Sequence, residues 1–177
     1  QVVGIATNPA LFSFMSDCQA RVEIVEGDAR KRLEEERARN EEKFDVLIVD
    51  IFSGDSIATH IISAEAFDLY KDRLAEDGIF SIHISNWHID LFPVCKAVAK
   101  RWGTNVVGVV ARADEVRGEI LSFWSFFSKE PLPPISEKCR EVDFAQVKDV
   151  PLITDEKGSL LNLIRFFEPP PVKPRVQ

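Results

Sequence analysis

A chain of 177 residues that is 45% apolar and 10% aromatic holds enough material for one buried core, which excludes an intrinsically disordered polymer. Its net charge of −7 argues against a general nucleic-acid surface and suits a cationic small substrate. Cys18, Cys95 and Cys139 are odd in number and far apart, which excludes a disulfide framework and a metal knuckle and points to a reducing, cytoplasmic setting. His60, His83 and His88 lack the spacing and acidic company of a zinc site, so no metal is expected. No signal peptide and no apolar run of membrane-spanning length is read, so membrane attachment is not expected through this chain. Gln1 leads into VVGIAT with no initiator Met, so the chain reads as a fragment beginning inside a domain.

In chain order, residues 2–6 read as a strand followed by the turn Thr7-Asn8-Pro9 and a helix whose buried face is Leu11, Phe12, Phe14 and Met15. Residues 20–26 alternate Val22 and Ile24 with polar partners and stop at Gly27-Asp28-Ala29, a second strand ending in an acid. Residues 29–40, ARKRLEEERARN, are helix formers with opposite charges four apart, a solvent-facing helix whose interleaved glutamates speak against nucleic acid. Residues 44–49, FDVLIV, form the apolar run of a strand buried on both faces of a parallel sheet, and Asp50 closes it. Open α/β sheets place ligands at such carboxyl ends, so Asp50 and Asp55 are site candidates, with a turn cap and a solvated loop acid as the equal alternatives.

Residues 64–74 carry Phe67, Tyr70 and Leu74 at helical spacing with Gly78 beyond as a stop. Residues 79–85, IFSIHIS, are a strand ending in Ser85-Asn86-Trp87-His88, and residues 89–102 are a helix packed on the sheet through Leu91, Val94, Cys95, Val98 and Trp102. His83 reads as a satisfied core residue, and Asn86 as the better pocket candidate. Residues 104–110 and 119–128 are too close for a crossover helix and should pair antiparallel. Phe123, Trp124, Phe126 and Phe127 imply that both faces of the last strand are covered, one of them by a partner subunit in a homodimer. Residues 139–148 fit neither helix nor strand clearly. Residues 159–167 read as a short helix, with Thr154, Asp155 and Ser159 either capping it or closing over the site, the cap being favoured, and residues 168–177 as a Pro-rich tail. Strands alternating with helices give a Rossmann-like three-layer α/β/α fold of methyltransferase type over residues 1–167, mostly parallel with a C-terminal antiparallel strand and truncated at its N-terminus.

Three ordered segments, VEGDARKRL (25–33), FDVLIVDIFSGDSIATHIISAEAFDLYKDRLAEDGIFSIHISN (44–86) and PLITDEKGSLLNLIRF (151–166), resemble the spermidine synthase-like proteins. The resemblance implies aminopropyl transfer from decarboxylated S-adenosylmethionine to a polyamine such as putrescine, with S-adenosylmethionine or its decarboxylated form as co-substrate. It implies that Asp28 and Ala29 bind the adenine, that Asp50 binds and deprotonates the attacking amine, and that Asp55 is a second anionic anchor; Asn86, at a strand end on the ligand side of the sheet, is the substrate-pocket candidate. A carboxylate that orients an amine and takes its proton suits displacement at a sulfonium centre. The chain departs from the family pattern in GIATNP, where Ala6 and Asn8 stand in place of acids, in the absence of the glycine-rich turn, and in the wider spacing of Asp50 and Asp55. An S-adenosylmethionine-dependent methyltransferase and a non-catalytic domain that keeps the fold are the alternatives.

Overall fold

The computed structural model describes residues 2–50, 58–86, 88–114, 116, 118–133, 136, 138–164 and 170–173. Its centre is a five-stranded sheet in the order β1-β2-β4-β3-β5, formed by β1 (Phe44–Val49), β2 (Leu74–His83), β3 (Asn105–Ala111), β4 (Ser122–Ser128) and β5 (Cys139–Glu141). β1 and β2 run parallel, joined through helix α3 (Ala64–Arg73), while the β2–β4, β3–β4 and β3–β5 ladders are antiparallel. The antiparallel hairpin expected from the short spacing of its strands is present. The expectation of a mostly parallel sheet is corrected to a mixed one, because β4 inserts between β2 and β3.

Strand alternation assigns the faces. Leu47 and Val49, Phe80 and Ile82, and Phe123 and Phe127 turn toward α3 and α4 (Phe92–Trp102). There Phe67, Tyr70, Phe80, Trp102 and Phe127 pack in edge-to-face, tilted and stacked pairs with centroids 5.2–6.2 Å apart. Each such pair contributes about 0.5–1.5 kcal/mol beyond the area it buries. Helix α2 (Ala29–Ala38) joins the same side through Leu33, its one buried residue. Val46 and Ile48 on the opposite face are 54% and 60% exposed, and Trp124 and Phe126 on the same face of β4 are half-buried. Among the described residues α2, α3 and α4 therefore form one layer on one face, where three layers and two covered faces were expected.

The remaining differences concern residues 2–26. Val2–Ala6 is a short helix, α1, with no buried residue, and residues 20–26 form no strand. Leu11, Phe12 and Phe14 are 48–60% exposed, in turns instead of a helix with a buried face. Preference for strand is realised through cross-strand neighbours, and neither run pairs with another strand among the described residues. Asp28 ends no strand; it is the N-cap of α2. Further along, β2 begins at Leu74 directly after α3, before Gly78. Its ladder with β1 shifts between Phe44↔Leu74 and Val46↔Ile79, and a Cβ on Gly78 would lie 2.9 Å from the Phe44 carbonyl oxygen. Residues 161–163 form a single 3-10 turn, residues 159, 160 and 164 of the expected helix are not helical, and residues 165–167 lie outside the described residues.

The seam between β3 and the segment after β5 is tight. A Cβ on Gly108 would approach Phe92 Cε1 and Val142 Cβ, each at 2.9 Å. Gly108→Ala is expected to destabilise the fold by about 1–3 kcal/mol through overpacking, lowering the midpoint of urea unfolding without changing its slope.

Candidate functional site

The parallel ladder matches Val46 with Ile79, Leu47 with Phe80, Ile48 with Ser81 and Val49 with Ile82. Continued one step past the end of β1, that register sets Asp50 beside His83. His83 Nδ1 lies 2.8 Å from Asp50 Oδ1, and His83 Nε2 lies 2.6 Å from Ser85 Oγ. Ser85 Oγ in turn accepts the backbone N–H of Phe123, at 2.8 Å. Trp124, paired with His83 across the β2–β4 ladder, stacks on the imidazole with centroids 4.7 Å apart and an interplanar angle of 18°. Asp50 ends a hydrogen-bonded row at the carboxyl ends of two parallel strands, where such sheets receive ligands.

The connectivity Ser85–His83–Asp50 follows the order of a nucleophile, base and orienting acid. A hydroxyl poised for attack needs a lone pair directed at substrate, and here one lone pair is engaged by the Phe123 amide. Ser85 thus sits between the Phe123 amide and the imidazole, in contact with both. Asp50 keeps Oδ2 without a hydrogen bond among the described residues, its side chain is 55% exposed, and it lies on the sheet face of Ile48.

Asp28 belongs to a different group. Its Oδ1 accepts the Lys31 amide at 3.0 Å as the N-cap of α2, which holds its carboxyl below the usual carboxylate range. Its Oδ2 lies 3.9 Å from His60 Nε2. Ala29 lines a hollow of about 200 Å³ between α2 and β1, together with Leu33, Leu47, Ile48, Val49 and Tyr70. Asp28 and Asp50 share no hydrogen-bond partner among the described residues, and neither lines this hollow. A larger groove of about 690 Å³, bordered by Lys43, Gly78, Trp102 and Lys129, lies at the other end of β2, away from both acids.

Beside Asp28, Arg30 grips Asp155 with both guanidinium nitrogens, at 2.8 and 2.6 Å, and donates to the His60 carbonyl at 2.6 Å. The Asp155 amide donates to Glu65 Oε2 at 3.0 Å, and the Ala64 amide to the Ile153 carbonyl at 2.7 Å. Segment 153–155 is therefore strapped across the amino end of α3, and Asp155 serves this clasp in place of the helix cap expected of it. Asn86 is 7% exposed, and its Oδ1 accepts the amides of His88 and Ile89 at 2.9 and 2.7 Å, which shapes the turn into α4. Asp55 lies outside the described residues.

His83, Ser85 and Arg30 are functional candidates that sequence reasoning missed or undervalued. The period of two in HIS already put His83 and Ser85 on one face, but their meeting with Asp50 needed the inter-strand register. Among the described residues no group of three or more His, Cys, Asp or Glu could hold a metal ion, and no helix is long and apolar enough to cross a membrane.

The Arg30–Asp155 clasp carries a pH signature. The Arg30 guanidinium, first by its hydrogen bonds, holds the Asp155 carboxyl at about 2, below its ordinary 3.8. A depressed carboxylate stabilises the fold above its unfolded value, and the contribution is lost as pH falls toward 2. Asp155→Asn is expected to cost about 1 kcal/mol at pH 7, a modest figure for a partly exposed pair, and to match the parent near pH 2 in urea-unfolding curves.

No family model matches the chain, and none of the curated proteins matches it. Among solved structures it is similar to a "probable spermidine synthase" of Corynebacterium glutamicum, at 22% sequence identity and a TM-score of 0.44, over 66% of this chain and 42% of that one. The chain thus spans less than half the length of that protein.

Proposed function

We propose that this chain is a spermidine synthase-like transferase domain, in which Asp50 accepts the proton of an amine as that amine takes an aminopropyl group from decarboxylated S-adenosylmethionine. The observation that carries this reading is the 2.8 Å contact between Asp50 and His83 at the carboxyl ends of β1 and β2. The ordered sequence segments around Asp28, Asp50 and Asp155 support it, as does the antiparallel β4 inserted in the sheet.

The chemistry asked of Asp50 is limited. The amine nitrogen bonds to the carbon next to the sulfonium, the carbon–sulfur bond breaks, and sulfur leaves as a neutral thioether. The nitrogen then carries a surplus proton, which Asp50 Oδ2 receives. A positioned carboxylate in this role contributes roughly 10²–10⁴-fold. The negative charge of Asp50 also draws a cationic polyamine, an attraction strengthened at low salt by the chain's overall −7. Asp28 Oδ2, free of the capping bond, and the apolar hollow beside Ala29 are the groups suited to an adenine: a carboxylate for its exocyclic amine and a flat apolar slot for its ring. At about 200 Å³ the hollow lies under the roughly 300–1,000 Å³ usual for a small-molecule site, so it suits the base rather than the whole co-substrate.

A non-catalytic domain is the rival reading, favoured by the separation of Asp28 and Asp50 into two hydrogen-bonded groups. Calorimetry with decarboxylated S-adenosylmethionine, S-adenosylmethionine and methylthioadenosine distinguishes them. Preference for the decarboxylated form is expected, and Asp28→Ala should weaken it about 10- to 100-fold, the worth of a charge-assisted hydrogen bond. Preference for S-adenosylmethionine itself would point to methyl transfer, and no heat with any of them to the non-catalytic domain. With putrescine added, mass spectrometry should detect spermidine, and Asp50→Asn should reduce its rate at least 100-fold; an unchanged rate removes Asp50 from the mechanism.

A further inference from the structure

We infer that Ser85 and His83 are positioning residues whose hydrogen bonds run in one direction, set by the Phe123 amide, so that Asp50 is held as an oriented carboxylate base; this rests on the function proposed above. The direction follows from counting donors. An ionised carboxylate only accepts, so the 2.8 Å contact with Asp50 requires a proton on His83 Nδ1. A neutral imidazole then has a lone pair on Nε2, and the hydrogen at the 2.6 Å contact must come from Ser85. The serine oxygen, having given its only hydrogen, accepts from Phe123, whose backbone N–H can only donate. The order Phe123 N–H to Ser85, Ser85 O–H to His83 Nε2, His83 Nδ1–H to Asp50 uses every group once, and successive bonds polarise one another.

The opposite arrangement fails at one end. With the proton on Nε2, the Nδ1 lone pair would face the Asp50 lone pair at 2.8 Å. For a neutral ring the row therefore selects the Nδ1-protonated tautomer, and the proton released by substrate goes to Asp50 Oδ2. Stacking on Trp124 holds the imidazole plane in line with both partners.

Nitrogen NMR of the full chain labelled at histidine, with His83 assigned by the signal lost in His83→Gln, reads the tautomer directly. The expected result is the Nδ1–H form in the parent, a population shifted toward Nε2–H in Ser85→Ala, and recovery in Ser85→Thr, which keeps the hydroxyl. In the spermidine assay Ser85→Ala should lower kcat about 10- to 100-fold, the range seen when partners that orient a functional group are removed, while KM for putrescine changes less than about twofold; Ser85→Thr should restore kcat. An Nε2–H tautomer in the parent, parental kcat in Ser85→Ala, or covalent capture of Ser85 by a fluorophosphonate would each overturn the inference. A parent with the Nδ1–H tautomer and no transferase activity would overturn Asp50 as a base while upholding the direction of the chain, which keeps the two failures apart.

Discussion

The register between β1 and β2 is the constraint on which the candidate site depends. A side-chain period of two means that a slip of one residue would turn Asp50 to the helical side and leave His83 without its carboxylate. The register is held by apolar burial: Leu47, Val49, Phe80 and Ile82 all face the helices, and moving them to the other face would expose them together. Burying one such side chain is worth about 1.5–3 kcal/mol, so the sum exceeds what the polar contacts at the strand ends could repay. Gly78 makes the arrangement possible, because the shift before Val46 brings its α-carbon against the Phe44 carbonyl. The polar row is thus a by-product of packing on the opposite face of the same strands.

Local pattern made much of this architecture legible. The apolar run of β1, the heptad-like face of α4 and the short link between β3 and β4 each predicted what the fold contains, because each is decided by neighbours close in sequence or by one dominant buried face. Residues 2–26 resisted that reading. Their β-branched content signals strand, yet a strand needs an adjacent chain, and alternation alone cannot say whether one is present. His83 illustrates the same limit in the site. A histidine flanked by isoleucines on a buried strand is commonly a satisfied core residue, and His83 is indeed hydrogen-bonded at both nitrogens; what the sequence could not state was that one partner is the acid thirty-three residues earlier.

Asp28 and Asp155 show how one carboxylate can serve structure and remain placed for function. Asp28 gives one oxygen to the α2 amide and leaves the other near His60, while Asp155 is drawn into a bidentate bond with Arg30 and ties segment 153–155 to the same helix. The first turn of α2 is consequently fixed from two sides. Anything that binds beside Ala29 meets a wall whose apolar part is Leu33 and Tyr70.

The amide that directs the polar row belongs to β4, and β4 enters the sheet between two strands made before it. During synthesis Asp50, His83 and Ser85 all leave the ribosome well ahead of Phe123, so for that interval the imidazole is free to carry its proton on either nitrogen. Only when the hairpin slots home does a unique proton arrangement exist, which makes acid–base competence a late property of the nascent chain, acquired with the last central strand of the sheet.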